Sequence, residues 1–483
     1  MRYIDIGIIV LYLIGITWFG ARFKESQKSL KDYFLGGRNT PWWAIGFSIV
    51  SAETSTLTVI GTPALSFHGN FGFLQVVMGY LLARIVISSL FLPHYFRGEL
   101  FTAYELMQRR FGMRLRRLTA GTFLLLRALA EGVRVFAISI VISIVLGTGE
   151  IASIVVIVCL TLFYTFEGGM TAVIWTDVVQ MFLYVGGALV SLFVILQQIP
   201  GGWQEVWTAA AAAGKLQVFD FRMDWSWEFF ARQYSFWAGV LGGCFLTTAS
   251  HGTEQLMVQR LLSAKNEGEA RKAMFASWGV IFFQFTLFLV IGLILWKYYG
   301  NTGQQEPKPA DRIYPQFIWN ALPVGVSGLV TAAILAAAMS NLSAALNALA
   351  STTVMDFYKL KYGDREESHY LRLAKWATVV WGLVLFGIGV LSRQVNSVLE
   401  AGLGIASILY GALLGVFLLG VLTKRVSERA AMVGMLAGIV VNLYIKFGTP
   451  VAWTWYVLIG TAVTGGVGLL ASALIDGKKE EPA

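Results

Sequence analysis

Apolar runs of helical length follow one another along almost the whole chain, from Ile4 to Ile475, with short polar stretches between them. A helix needs about 20 mostly apolar residues to cross the hydrocarbon core of a bilayer. That template predicts thirteen spans, near 4–21, 41–67, 72–93, 118–147, 150–166, 170–198, 233–258, 271–297, 323–355, 373–392, 397–422, 429–447 and 452–475. The first run has no sizeable basic start and no small-x-small cleavage site after it, so it reads as a membrane helix and not as a signal peptide.

Two spans make poor continuous helices. The second gathers Ser48, Ser51, Glu53, Thr54, Ser55, Thr56 and Thr58; the seventh gathers Thr247, Thr248, Ser250, His251, Gly252, Thr253 and Glu254. Hydroxyls and glycine let a helix unwind, and in a bilayer that is tolerated only where the stretch lines a protein cavity. Unwound carbonyls can bind a cation, and half-helix N-termini can face an anionic group. The second span opens one group of five and the seventh opens the next, the expected mark of an inverted repeat around a midplane site. The ninth span adds the small-residue run Ala332–Asn347. Ala333, Ala336 or Ala337, Ser340, Ser343 and Asn347 share one face there, and their oxygens suit a hard cation.

Composition supports the same class. The chain has 483 residues, 56% of them hydrophobic, and only 13% are charged, against about 25% in soluble domains. The net charge of +9 is not spread evenly. One set of alternate loops, with the C-terminal tail, holds 25 of the 37 Lys and Arg; the other set holds nine. Basic loops stay cytoplasmic. The expected arrangement is an inner-membrane protein with the N-terminus outside and the C-terminus in the cytoplasm. The basic face then meets anionic lipid and not nucleic acid. Trp203, Trp207, Trp225 and Trp227, in the outside loop 200–232, suit a short helix at the membrane interface. Cys159 and Cys244 lie inside apolar runs and suit neither a disulfide nor a metal site. The four histidines are far apart, and no HExxH, P-loop or Gly-x-Ser-x-Gly elbow is present, so an enzyme is not expected.

An ionised group at the bilayer centre is costly unless paired or hydrated. Glu53, Arg84, Arg127, Glu131, Arg134, His251 and Glu254 are nevertheless predicted within spans. Arg127, Glu131 and Arg134 stand at i, i+4 and i+7 on one helical stripe. They form either a structural ion pair or a clamp for a solute carboxylate, which a planar guanidinium binds at two points. Glu53 is open to three readings: a partner of Arg84, an aid to cation binding, or a proton carrier.

Several pieces resemble the sodium/solute symporters: Tyr33–Arg38 (YFLGGR) with Trp42, Trp43 and Gly46; Gly168–Gln180 (GGMTAVIWTDVVQ); Gln259–Arg260 with Ala264–Lys265 and Glu269–Ala270; Ala336–Asn347; and Gly411–Arg425 (GALLGVFLLGVLTKR). The resemblance implies an all-α polytopic protein with the leucine-transporter fold: five plus five inverted helices, one helix before and two after. It divides the chain into 1–30 (first helix and link), 31–425 (core, with repeats near 41–198 and 233–422) and 426–483 (two last helices and tail). It implies a main sodium site at the carbonyls of Ser51, Thr54 and Ala337 with Ser340 and Asn341. Asn341 stands where the family carries a second hydroxyl. A second cation site is implied at Asp177, Ser340 and Ser343. The solute cavity is expected at Glu53, Ser55, Thr58, Thr247, Ser250, His251 and Glu254, with Arg84, Arg127, Glu131 and Arg134 as charged support. The expected function is secondary active symport of a small polar organic solute, bearing a carboxylate or an amine, with Na⁺ as coupling ion and no other cofactor. Proton coupling or sodium independence through Glu53, and a non-transporting sensor, are the alternatives. The expected partners are the solute, Na⁺ or H⁺, and the lipid bilayer; the oligomeric state stays open.

Overall fold

Helices carry most of the described residues, as hydrocarbon requires of a backbone that must satisfy its own hydrogen bonds. The computed structural model describes residues 2–22, 38–97, 103–164, 170–224, 226–363 and 366–475. The main helices are α1 (Tyr3–Ala21), α2 (Trp42–Glu53), α3 (Thr56–His68), α4 (Leu74–Val86), α5 (Met113–Leu146), α6 (Glu150–Tyr164) and α7 (Met170–Gln197). The second half follows with α8 (Phe236–Gly252), α9 (Gln255–Leu262), α10 (Glu267–Thr302), α11 (Val326–Thr352), α12 (Glu367–Leu391) and α13 (Val398–Leu422), then α14 (Glu428–Gly448) and α15 (Tyr456–Ile475). The single β-type pairing among the described residues is a bridge between Thr40 and Ala264.

Among the described residues nine helices are long and apolar enough to cross a bilayer, and the bent pair α2–α3 makes ten. That measure does not reach the expected count of thirteen. The remaining three spans fall on α6 and α8, which are short, and on α11, whose apolar stretch covers only Val326–Leu335. Loop 200–232, where a short helix is expected, holds the helix Gly202–Ala212, with Trp203 and Trp207 exposed. Trp225 and most of the Tyr33–Arg38 motif lie outside the described residues.

Side chains and glycines fix how these helices meet. Polar caps start several of them: Ser235, Asn266, Ser397 and Ser427 each accept an amide of the first turn. The serine-bearing helix α11 is capped from another element. Asp5 of α1 accepts the amides of Gly325 and Gly328 at 2.7 and 2.9 Å, placing a carboxylate at the helix N-terminus, where the dipole favours it. At the far end of α3, Lys215 donates to the carbonyls of Phe67 and Gly69 at 2.8 and 2.9 Å, the complementary match for a helix C-terminus. Helices α4 and α8 cross almost backbone to backbone. A Cβ on Gly243 would lie 2.1 Å from the Val76 carbonyl oxygen, and one on Gly79 would lie 2.3 Å from that of Val240. Small residues allow such approach in membranes, where packing and not the hydrophobic effect holds helices together. Gly243→Ala should therefore cost about 1–3 kcal/mol through overpacking. Thermal melts followed by size-exclusion chromatography should show a lowered midpoint.

Candidate functional site

The two poor helices are broken where their polar residues cluster. In the first, the regular ladder ends with the Thr54 amide on the Val50 carbonyl and resumes with the Val59 amide on Ser55. Thr54 and Ser55 are extended between α2 and α3, and the chain bends by 64°. The carbonyls of Ser51 to Thr54 thereby leave the ladder. In the second, the ladder stops with Thr253 on Ala249 and restarts with Val258 on Glu254. Of the carbonyls released there, that of Gly252 accepts the Tyr95 hydroxyl at 2.5 Å.

Both breaks face one cavity of about 100 Å³. All seven residues expected to meet the solute line it: Glu53, Ser55, Thr58, Thr247, Ser250, His251 and Glu254. Arg127 and Arg134 join them, with Tyr80 and Tyr410. Arg84 and Glu131 do not line it; they stand behind Glu53 and Arg134.

The charged residues form two linked sets. Glu53 meets Arg84 at 3.0 Å and His251 Nε2 at 3.2 Å, and His251 Nδ1 is 2.8 Å from the Ser250 hydroxyl. Arg127 lies between Glu131 at 2.8 Å and Glu254 at 2.9 Å, and Tyr410 donates to Glu254 at 2.5 Å. Arg134 pairs with Glu131. Three carboxylates thus face three guanidinium groups, so these ion pairs carry no net charge. The stripe Arg127, Glu131, Arg134 divides its two predicted roles. Arg127 is locked between carboxylates with 5% of its side chain exposed, whereas Arg134 has one partner and keeps 24% exposed.

The expected main sodium site is brought together only in part. Ser51 and Thr54 supply carbonyls at the break, and Asn341 is buried on α11. Of Ala337 and Ser340 only their place on α11 is described. Sequence reasoning missed what holds the break. Gln284 of α10 donates to the Thr54 hydroxyl at 2.5 Å and accepts from Tyr184 at 3.2 Å. A buried glutamine within an apolar span was the available signal.

At the expected second cation site Asp177 has a resident cation. Arg260 of α9 reaches it at 3.0 Å and donates to Ser48 at 3.0 Å, while Ser48 donates to Asp177 at 2.6 Å. The sequence reading counted Arg260 as a loop residue; it is fully buried. The helix resumes beyond the break through Leu262, four residues past the predicted span. Among the described residues, no three His, Cys, Asp or Glu converge as a metal centre would need.

A polar cavity between two broken helices defines a secondary active transporter of the leucine-transporter fold. The chain belongs to the sodium:solute symporter family, whose model matches residues 33–438. It is 27% identical to a sodium/sialic acid symporter of Proteus mirabilis over 99% of this chain and 96% of that one. It is 26% identical to the human sodium-coupled monocarboxylate transporter 2, over 94% of this chain and 74% of that one. A solved Na⁺-coupled sialic acid symporter, substrate-bound and outward-open, superposes with a TM-score of 0.85 at 26% identity, covering 98% of each chain. A nucleobase-cation-symport-1 transporter shares the fold, with a TM-score of 0.55 at 13% identity over 92% of this chain and 94% of that one. The protein is accordingly a sodium-coupled solute symporter working by alternating access, and not an enzyme.

The Asp177–Arg260 pair generates a test. Asp177→Asn leaves a buried guanidinium without its counter-charge, which should cost about 3–5 kcal/mol. The double variant Asp177→Leu/Arg260→Met should recover most of that loss in thermal melts.

Proposed function

We propose that the protein is a sodium symporter of a small organic acid whose carboxylate is anchored by Arg134. The supporting observation is that Arg134 is the most exposed of the three paired guanidinium groups of the site. A planar guanidinium in a partly dry cavity binds carboxylate at two points. The relatives point the same way, being named for sialic acid and for monocarboxylates. Thr58, Thr247, Ser250 and His251 supply hydrogen bonds to the rest of the solute. The coupling sodium is held by the carbonyls of Ser51, Thr54 and Ala337 with Ser340 and Asn341. A second cation at Asp177, Ser340 and Ser343 requires Arg260 to withdraw. Proton coupling through Glu53 has less support, because Arg84 and His251 already engage that carboxylate.

A thermal-shift panel of N-acetylneuraminate, L-lactate, pyruvate, amino acids and neutral sugars identifies the solute class; carboxylates should raise the melting point and neutral sugars should not. In proteoliposomes, uptake of the carboxylate so found should follow an inward sodium gradient and not a proton gradient at constant sodium. Arg134→Gln should lower that uptake at least about tenfold, since a lost charge-assisted pair costs about 1.5–3 kcal/mol. Equal stimulation by both gradients, or normal uptake by the variant, would overturn this assignment.

The loop charges support a location in the plasma (inner) membrane with the N-terminus outside and the C-terminus cytoplasmic. Single cysteines introduced at Gln304 and Lys265 test this in intact cells: the first should react with an impermeant thiol reagent and the second should not.

A further inference from the structure

A second, smaller cavity adjoins the first, about 10 Å³ against about 100 Å³, room for one water-sized occupant. Ser55 and Arg134 line both. The smaller cavity is lined also by apolar residues of α5 and α11 and by Thr56, Glu131 and Asn341. Three of its polar atoms have no hydrogen-bond partner. Glu131 is fully buried, and while its Oε1 takes both Arg127 and Arg134, its Oε2 has no hydrogen-bond partner. The Thr56 hydroxyl and Arg134 Nε are buried and unpartnered as well. A buried carboxylate oxygen left without a donor is costly, so its persistence calls for an occupant. An orphan carboxylate oxygen, an orphan hydroxyl and an amide around a small space form an oxygen-rich donor set that suits a hard monovalent cation.

The obstacle to a cation is the guanidinium of Arg134, which already neutralises Glu131. The solute removes it. Resting on the assignment of Arg134 as the carboxylate anchor, we propose that Glu131 is a sodium ligand freed when the solute's carboxylate takes Arg134 from it. Sodium then enters the small cavity between Glu131, Thr56 and Asn341. Arg127 stays balanced by Glu254, Arg134 is balanced by the solute, and Glu131 is balanced by sodium. Either ion alone leaves an uncompensated charge in a neutral site, and the pair leaves none. The exchange couples the two cargoes through one side-chain movement, and Asn341 joins this site to the expected main sodium site. Glu131 thereby supplies an oxygen that the missing second hydroxyl does not.

The test uses the full-length protein in nanodiscs. Sodium is titrated against a choline background, with intrinsic tryptophan fluorescence as readout, without and with a saturating amount of the carboxylate that gives the largest thermal shift. In the native protein the carboxylate should raise sodium affinity about tenfold or more, a typical coupling between two sites. Glu131→Gln should abolish that gain. It should also raise carboxylate affinity in sodium-free buffer, because Arg134 no longer has an internal competitor; a purely structural role for Glu131 would not do this. Glu131→Asp keeps the charge and should retain part of the gain, which decides the matter if the glutamine variant fails to fold. A full gain in Glu131→Gln, or a gain in Glu131→Asp equal to that of the native protein, would overturn the proposal. The underlying assignment fails separately. If no carboxylate shifts the melting point, or if Arg134→Gln binds carboxylate normally, the anchor is elsewhere and the exchange falls with it. If Arg134→Gln loses the carboxylate while Glu131→Gln keeps its sodium gain, only the exchange is wrong.

Discussion

Within hydrocarbon, a released carbonyl or an ionised side chain has no water to turn to and must find its partner inside the protein. That constraint organises this molecule from its centre outward. The chain breaks two helices and places three carboxylates and three arginines beside the breaks. Each charge has its counter-charge within a hydrogen-bond length. Such pairs add little to stability, since desolvation offsets most of their attraction, but removal of one member is expensive. The site is therefore rigid in its charge balance and responsive to anything that alters it. A solute bearing one negative charge and a cation bearing one positive charge can enter together at far lower cost than separately.

The rest of the fold holds the breaks in place. Gln284 and Tyr184 fix the Thr54 hydroxyl from two neighbouring helices. Asp5 ties the first helix to the N-terminus of α11, so the helix that precedes the core has a structural hold on the helix expected to bind sodium. The glycine crossing of α4 on α8 sets two backbones in direct contact. Ser48, Asp177 and Arg260 tie the front half of the first broken span to α7 and α9, and the Thr40–Ala264 bridge lies nearby in sequence. These contacts hold the unwound residues in place at the centre of the protein, and alternating access turns on such a fixed site.

Hydropathy and polarity along the chain were enough for the class. Twenty apolar residues can do little else than span a bilayer, and clustered hydroxyls with an acid or a histidine inside such a run mark a break. All seven residues expected to meet the solute line the cavity because they surround the breaks or lie within two helical turns of them, and local sequence encodes both. The expected span count was less secure, since α6, α8 and part of α11 are short or polar enough to fall below the length and hydropathy that a single helix needs.

Partnership across helices was not legible. The stripe Arg127, Glu131 and Arg134 announced an ion pair, but which arginine is locked and which is open depends on Glu254, 127 residues from Arg127 in sequence. Arg260 read as a loop charge because sequence shows composition and not depth; only packing puts it beside Asp177. Glu53 had three possible roles until Arg84 and His251 were seen to meet it. Sequence by itself determined that the chain belongs in a membrane and where its backbone cannot stay helical, because both follow from local solvation. The tertiary structure alone decided which charge neutralises which, because that depends on a few ångströms between residues far apart along the chain.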